Sequence, residues 1–184
     1  MRTLVDSAMR GEVEAFDALA RAVGDRCMAI AVRILRDGDQ AEDAVQAALI
    51  TAWRELRTLR DPDRFEPWLH RILTNECYAE ARRRRRWKAD VRLVAMAEPA
   101  AAQEILTVHD RDQLDRAFRR LTLEQRAVLV FHHYLGLSLA DIADRLDIPS
   151  GTVKSRIHYA TAALRASIEA DARIPTLLSE ERPA

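Results

Sequence analysis

LADIADRLDIPSGTVKSRIHYATAAL, residues Leu139 to Leu164, is the stretch from which the rest of the chain can be read. Leu139, Ile142, Ala143 and Leu146 give a short helix one inward face. DIPS supplies a turn, and Val153, Ile157, Ala160 and Leu164 recur at threes and fours to anchor a second helix. The outer face of that helix carries Thr152, Ser155, Arg156 and Tyr159, flanked by Lys154 and His158. This is how a helix-turn-helix offers one helix to the major groove of DNA. Arginine can hold a guanine edge with two bonds, while lysine and serine can hold phosphates. The start of the helix, at Ser150 and Thr152, can donate amides to a phosphate as well. An ordinary helical hairpin would share the apolar spacing, so both readings stand on this stretch alone.

Working outward, Leu114, Ala117, Phe118 and Leu121 form a helical stripe upstream. Thr122 can cap the next helix, with Gln125 in capping-box position. Gly136 breaks that helix, and Ser138 caps the one beginning at Leu139. The spacing thus predicts a four-helix domain over 112–170, large enough to bury a small core. The tail, 171–184, is expected to fray, broken by Pro175. Residues 93–111 are alanine-rich, contain Pro99 and have no strong period, so they read as a flexible linker.

A second helical domain is expected over 1–92. Leu4, Val5, Ala8 and Met9 form a short stripe; Phe16, Leu19, Ala20 and Val23 begin another, which resumes after a break at Gly24-Asp25. RDGD, 36–39, is a turn whose Asp39 can cap a third helix. That helix, about 40–57, sets Ala41, Ala44, Val45, Ala48, Leu49, Ala52, Trp53 and Leu56 on one face. Glu42, Asp43 and Gln46 lie outside that stripe, where a favourable acidic first turn would account for them equally well. TLRDPDR, 58–64, reads as a loop. A helix then starts near Phe65, with Pro67 in its first turn and Trp68, Leu69, Ile72, Leu73 and Cys77 or Tyr78 on its apolar face. Five arginines, Arg82, Arg83, Arg84, Arg85 and Arg86, extend this helix or end it. They cannot share one face, and they repel one another unless a polyanion is near. The fold class read from these patterns is all-α, two small helical domains joined by a flexible linker.

The composition agrees: 48% hydrophobic and 32% charged residues describe a folded chain rather than a disordered one. The formal net charge is zero, which argues against indiscriminate coating of nucleic acid. Yet positive charge is concentrated in two places. Between Arg71 and Arg92 there are eight Arg or Lys against three acids, and between Ser150 and Arg165 three against none. Cys27 and Cys77 stand alone, as reduced thiols would in a cytoplasmic protein. No apolar signal core and no run near ~20 apolar residues is present, so membrane insertion is not expected.

Catalytic chemistry finds no footing. His132 and His133 are adjacent and cannot converge on one metal from a helix; no HExxH, GxxxxGK[ST] or GxSxG occurs. The expectation is a non-enzyme without metal or cofactor.

Both halves together resemble one family. DQAEDAVQAALITAWRELRTLRDPDRFEPWLHRILTNECYAEARRRRR, 39–86, and LTLEQRAVLVFHHYLGLSLADIADRLDIPSGTVKSRIHYATAALR, 121–165, look like the second and fourth conserved regions of sigma-70-type factors of the extracytoplasmic-function group. The resemblance implies a factor that joins core RNA polymerase and directs it to promoter DNA, itself making no bonds. Asp39, Glu42, Asp43 and Gln46 would dock on the coiled coil of the largest catalytic subunit, with Leu49 and Trp53 packing the back of their helix. Arg57, Arg60, Asp61, Arg64 and Asn75, with Arg82 to Arg86, would hold the melted −10 single strand, which needs polar or stacking pockets and phosphate attraction. Asn75 would serve equally as a local hydrogen-bonding residue, and Trp68 as core. Ser150, Thr152, Lys154, Ser155, Arg156, His158 and Tyr159 would face the −35 duplex. Members of this group are often clamped by an anti-sigma factor through their polymerase-binding faces; nothing in the chain identifies that partner. Two departures are the charged, Pro62-bearing loop and FHHY at 131–134. A stand-alone helix-turn-helix regulator would share residues 121–165 but would leave the acidic face and arginine tract unexplained.

Overall fold

Four helices come from the N-terminal half of the computed structural model, which describes residues 1–94 and 109–180: α1 (Arg2–Met9), α2 (Val13–Leu35), α3 (Gly38–Glu55) and α4 (Phe65–Val94). Two short 3-10 turns, Leu56–Thr58 and Pro62–Arg64, connect α3 to α4. The C-terminal half supplies α5 (His109–Arg120), α6 (Leu123–Leu129) running on into a π turn at Val130–Tyr134, α7 (Leu139–Leu146) and α8 (Ser150–Glu180). Among the described residues there is no strand, and the all-α, two-domain reading holds with the helix-turn-helix formed by α7 and α8. Most of the expected linker lies outside the described residues, as do the last four positions of the tail. No helix among the described residues is long and apolar enough to cross a membrane.

The seam of α3 explains how the N-terminal helices pack. Ala41, Ala44, Ala48 and Ala52 are all buried, so small side chains bring α3 close to both α2 and α4. Trp53 falls one residue past the seam, about 100° round the helix, and therefore sits at the rim. It is 38% exposed and packs its ring on Phe16 at 4.9 Å, rather than forming the back face expected for it. The cap is also displaced by two residues. Asp37, in extended backbone, accepts the Gln40 amide at 3.0 Å, whereas Asp39 is already inside the first turn and cannot reach forward in that way. Those amide bonds hold the Asp37 carboxyl below its ordinary pKa.

The expected break at Gly24 does not occur: α2 runs unbroken through it. Leu19, Val23, Cys27 and Ile30 are buried on either side, and that packing outweighs the ~1 kcal/mol a helical glycine costs. A Cβ added at Gly24 would meet nothing within 4 Å. Gly24→Ala is therefore expected to stabilise the chain by about 0.5–1 kcal/mol in urea unfolding, with no change in the denaturant slope. The helix ends where Arg36 turns left-handed at φ 60°, its amide on the Val32 carbonyl at 2.8 Å.

In the second domain the expected caps are in place. Thr122 with Gln125, and Ser138 with Asp141, each form a reciprocal capping box. Gly136, at φ +65°, makes the turn between α6 and α7, and Asp147, at φ 53°, ends α7. The tail departs from expectation, because α8 continues past Pro175 to Glu180. A proline withdraws one intrahelical bond and need not stop the turns on either side.

The domains share one apolar core. Phe131, Val128, Ile142 and Val153 are fully buried in the same cluster as Leu19, Ile30, Leu69 and Leu73. Helix α4 is the common wall, covered by α2 and α3 on one side and by α7 on another. That double burial explains His70 and Thr74, polar residues only 4% and 1% exposed within α4.

Candidate nucleic-acid interface

Val153 and Ala160, both fully buried, and half-buried Ile157 fix the roll of α8 about its axis. The opposite face is set by that roll. Ser150, Lys154, Ser155, His158 and Tyr159 are exposed, with Tyr159 at 65%, while Thr152 and Arg156 are half-buried. His158 stands edge-on to Tyr159 at 5.5 Å. The Ser155 hydroxyl donates to the Thr152 carbonyl of its own helix at 3.0 Å. Burial drives the Tyr78 phenol of α4 well above its ordinary pKa, and the charge of Arg156 acts against that rise.

Helix α4 carries the second set of candidates in two groups. Arg82 to Arg86 are all exposed and lie inside the helix, so the tract extends it. At 100° per residue the five sweep the whole circumference. Arg83 pairs with Glu80, and Arg84 lies over the Trp87 ring at 5.1 Å. Asn75 is exposed some 14 Å back along the axis. It opens into a groove of about 460 Å³ that Trp68 and Arg71 share with Leu146 and Asp147 of α7. Trp68 is half-buried, packed against the apolar core on one side and lining this groove on the other. Arg57, Arg60, Asp61 and Arg64 are exposed around the 3-10 turns. Asp61 caps the second turn by accepting the Asp63 amide at 3.0 Å, and Arg64 pairs with Asp144 of α7. The two groups are therefore not brought into one pocket.

Asp39, Glu42, Asp43 and Gln46 form one exposed stripe on α3, opposite the alanine seam. Among the described residues none of the four makes an ion pair or a side-chain hydrogen bond. This leaves a regular acidic ridge facing outward, well suited to a basic protein surface.

Several residues of this region carry no clear signal in the sequence. His70 meets the Phe131 ring at 5.8 Å, and the Thr51 hydroxyl donates to Glu76 at 3.3 Å beside the Asn75 groove. His70 belongs to a second α4 stripe with Thr74, Cys77, Tyr78 and Ala81, at helical spacing but masked by its polar members. Cys27 and Cys77 are free and buried, and burial pushes their thiols up to about 11 and about 12, which makes them poor nucleophiles. Among the described residues no three His, Cys, Asp or Glu are grouped to hold a metal ion.

Comparison with known proteins matches residues 19–87 to the family described as Sigma-70 region 2, and residues 111–164 to Sigma-70, region 4. The chain is 36% identical over 166 residues to the ECF RNA polymerase sigma factor SigL of Mycobacterium tuberculosis, covering 86% of this chain and 94% of that protein. It is 31% identical over 182 residues to the RNA polymerase sigma-H factor of Pseudomonas aeruginosa, covering 90% and 92%. Among solved structures it resembles CnrH in complex with the cytosolic domain of CnrY, with TM-score 0.65, 28% identity and coverage of 92% and 97%. It also resembles the sigma factor RpoE bound to the anti-sigma factor NepR from Bartonella quintana, with TM-score 0.67, 28% identity and coverage of 86% and 99%.

Proposed function

The chain belongs to the extracytoplasmic-function group of sigma-70-type factors, and from that membership we propose how its three surfaces divide the work of promoter-directed initiation. The acidic ridge of α3, Asp39, Glu42, Asp43 and Gln46, docks on core RNA polymerase. The exposed face of α8 enters the −35 major groove, with Lys154 on phosphate and Arg156, Ser155, His158 and Tyr159 turned to the duplex. The 3-10 turns and the exposed face of α4, with Asn75 and the arginine tract, hold the opened −10 strand. The domain boundaries that serve this division are 1–92 and 112–170. No bond is made or broken by the chain itself, because nucleotide addition belongs to the polymerase.

The observation that carries this reading is the separation of charge between helix faces. An acidic ridge lies on α3, and basic faces lie on α4 and α8, each fixed by a buried apolar seam. The acidic ridge suits a protein partner and would repel DNA, whereas the basic faces suit phosphate. Both structural neighbours were solved with a partner chain, and a protein inhibitor that covers these faces is proposed on that likeness.

The test is transcription in vitro from fragmented genomic DNA by purified bacterial core polymerase, with and without the chain. New start sites sharing −35 and −10 elements are expected. No new starts, together with no binding to polymerase in a pull-down, would leave a stand-alone DNA-binding regulator as the better account. Two variants divide the surfaces. Reversing charge with Glu42→Lys and Asp43→Lys is expected to weaken core polymerase binding by about tenfold or more, since like charges then face each other. Lys154→Ala is expected to leave core binding intact and to reduce the slope of log promoter affinity against log salt by about 1. Filter binding across a salt series reads that slope.

A further inference from the structure

Gly11, in the turn between α1 and α2, has φ +96°, a backbone conformation that side chains rarely adopt. A Cβ built there would stand 2.8 Å from Nη2 of Arg57 and 3.9 Å from the carbon of its guanidinium. Among the described residues, chain neighbours aside, nothing else comes within 4 Å of that point. The Arg57 guanidinium therefore occupies the space that a side chain at residue 11 would take. The positive φ by itself asks for glycine for the backbone's sake. The closeness of Arg57 is a second, independent reason, and the two make different predictions.

The surroundings hold Arg57 in that place. Leu56 and Leu59 are buried and anchor the first 3-10 turn, which leaves Arg57 between them on the exposed side. Val5 and Ala8, the buried face of α1, belong to the same apolar cluster as those leucines. Helix α1 packs on both 3-10 turns, and its Arg2 pairs with Asp63 of the second. That exposed ion pair adds little energy, so the apolar seam does the holding. Arg57 itself makes no ion pair or side-chain hydrogen bond among the described residues, and its charge stays uncommitted.

We propose that Gly11 is a positioning residue for the −10 strand surface: by leaving the side-chain space of residue 11 empty, it seats the Arg57 guanidinium where a strand phosphate can meet it. This rests on the assignment of Arg57 to the opened strand and adds the element that aims it. A long arginine side chain loses rotamer freedom when a ligand fixes it, and a seat formed beforehand removes part of that cost. A Cβ at residue 11 would meet only the far end of this flexible side chain. Arg57 would swing aside with the packed leucines undisturbed, so its contact with phosphate is lost while the fold is kept.

The test is a double-mutant cycle in the full chain: Gly11→Ala, Arg57→Ala and both together. Two quantities are read well below the melting temperature. One is the yield of new starts on fragmented genomic DNA with core polymerase. The other is the affinity of the chain alone for a mixed-sequence single-stranded oligonucleotide across a salt series. Gly11→Ala is expected to lose about two- to tenfold in both, and to flatten the salt slope by about 0.7, as for one phosphate of a single strand. Arg57→Ala should lose at least as much, and the double variant no more than Arg57→Ala alone. Core polymerase binding in a pull-down should not change, since Gly11 lies outside the α3 ridge. Backbone strain at φ +96° lowers the melting temperature alike in both backgrounds, and so cannot imitate this non-additivity. Should Gly11→Ala unfold, Gly11→Asn carries the same Cβ and tolerates positive φ better. Equal losses from Gly11→Ala with and without Arg57, or no loss in either single variant, would overturn the proposal. If the unaltered chain directs no starts, the sigma assignment is what fails. The oligonucleotide cycle needs no polymerase and then still decides what Gly11 does.

Discussion

Phe131→Ala is expected to cost the chain about 3–5 kcal/mol, the usual range for removing a fully buried aromatic ring. Phe131 is the largest of the fully buried side chains among the described residues, at 0% exposure, and its ring reaches across the domain boundary to His70. Truncation leaves a cavity that the stiff ends of α4 and the π turn cannot close, so the lost contacts are not replaced. The expected fall in melting temperature is about 6–20 °C, at ~2–4 °C per kcal/mol for a chain of this size. Calorimetry should also show the single transition broadening or splitting, because the residue belongs to both domains' core. A cost below about 1 kcal/mol would mean that the ring is not buried between the domains.

Acidification is expected to destabilise the fold over a window set by His70. An unfolded histidine takes its proton near pH 6.5, but burial between α4 and the C-terminal domain holds His70 down to about 4, with Arg145 of α7 and Arg26 of α2 pushing the same way. Between those values the unfolded chain binds the proton and the folded chain does not. Stability is therefore complete above pH 6.5 and falls as pH drops toward 4. The full loss is about 3 kcal/mol, of which about 2 is reached by pH 5. Melting temperature should drop by about 4–8 °C between pH 7 and pH 5. His70→Gln removes the titrating group and should flatten this dependence, whatever it costs in overall stability. An unchanged slope in that variant would assign the acid sensitivity elsewhere.

The helices, their caps and the two-domain order were legible because they are local. A stripe at threes and fours needs only the residues within one helix, and Thr122 with Gln125, or Ser138 with Asp141, act over three positions. The outer faces of α3 and α8 came from the same periodicity, which is why the acidic ridge and the α8 candidates are, in large part, exposed as expected. Local signals failed where packing overrode them: Gly24 sits inside a helix held by its neighbours, and Asp37 rather than Asp39 caps α3 because the chain's entry angle decides which carboxylate can reach.

What the sequence determined by itself is the list of parts, namely two helical units, an acidic face, an arginine tract and a helix-turn-helix. Only the tertiary structure decided how the parts meet: that His70 is buried, that Trp68 borders a groove, and that Arg64 and Asn75 face the opposite domain. The reason is physical. Helical periodicity is set by bonds four residues apart, whereas Arg64 and Asp144 are 80 residues apart in the chain, and nothing short of the packed core brings them together.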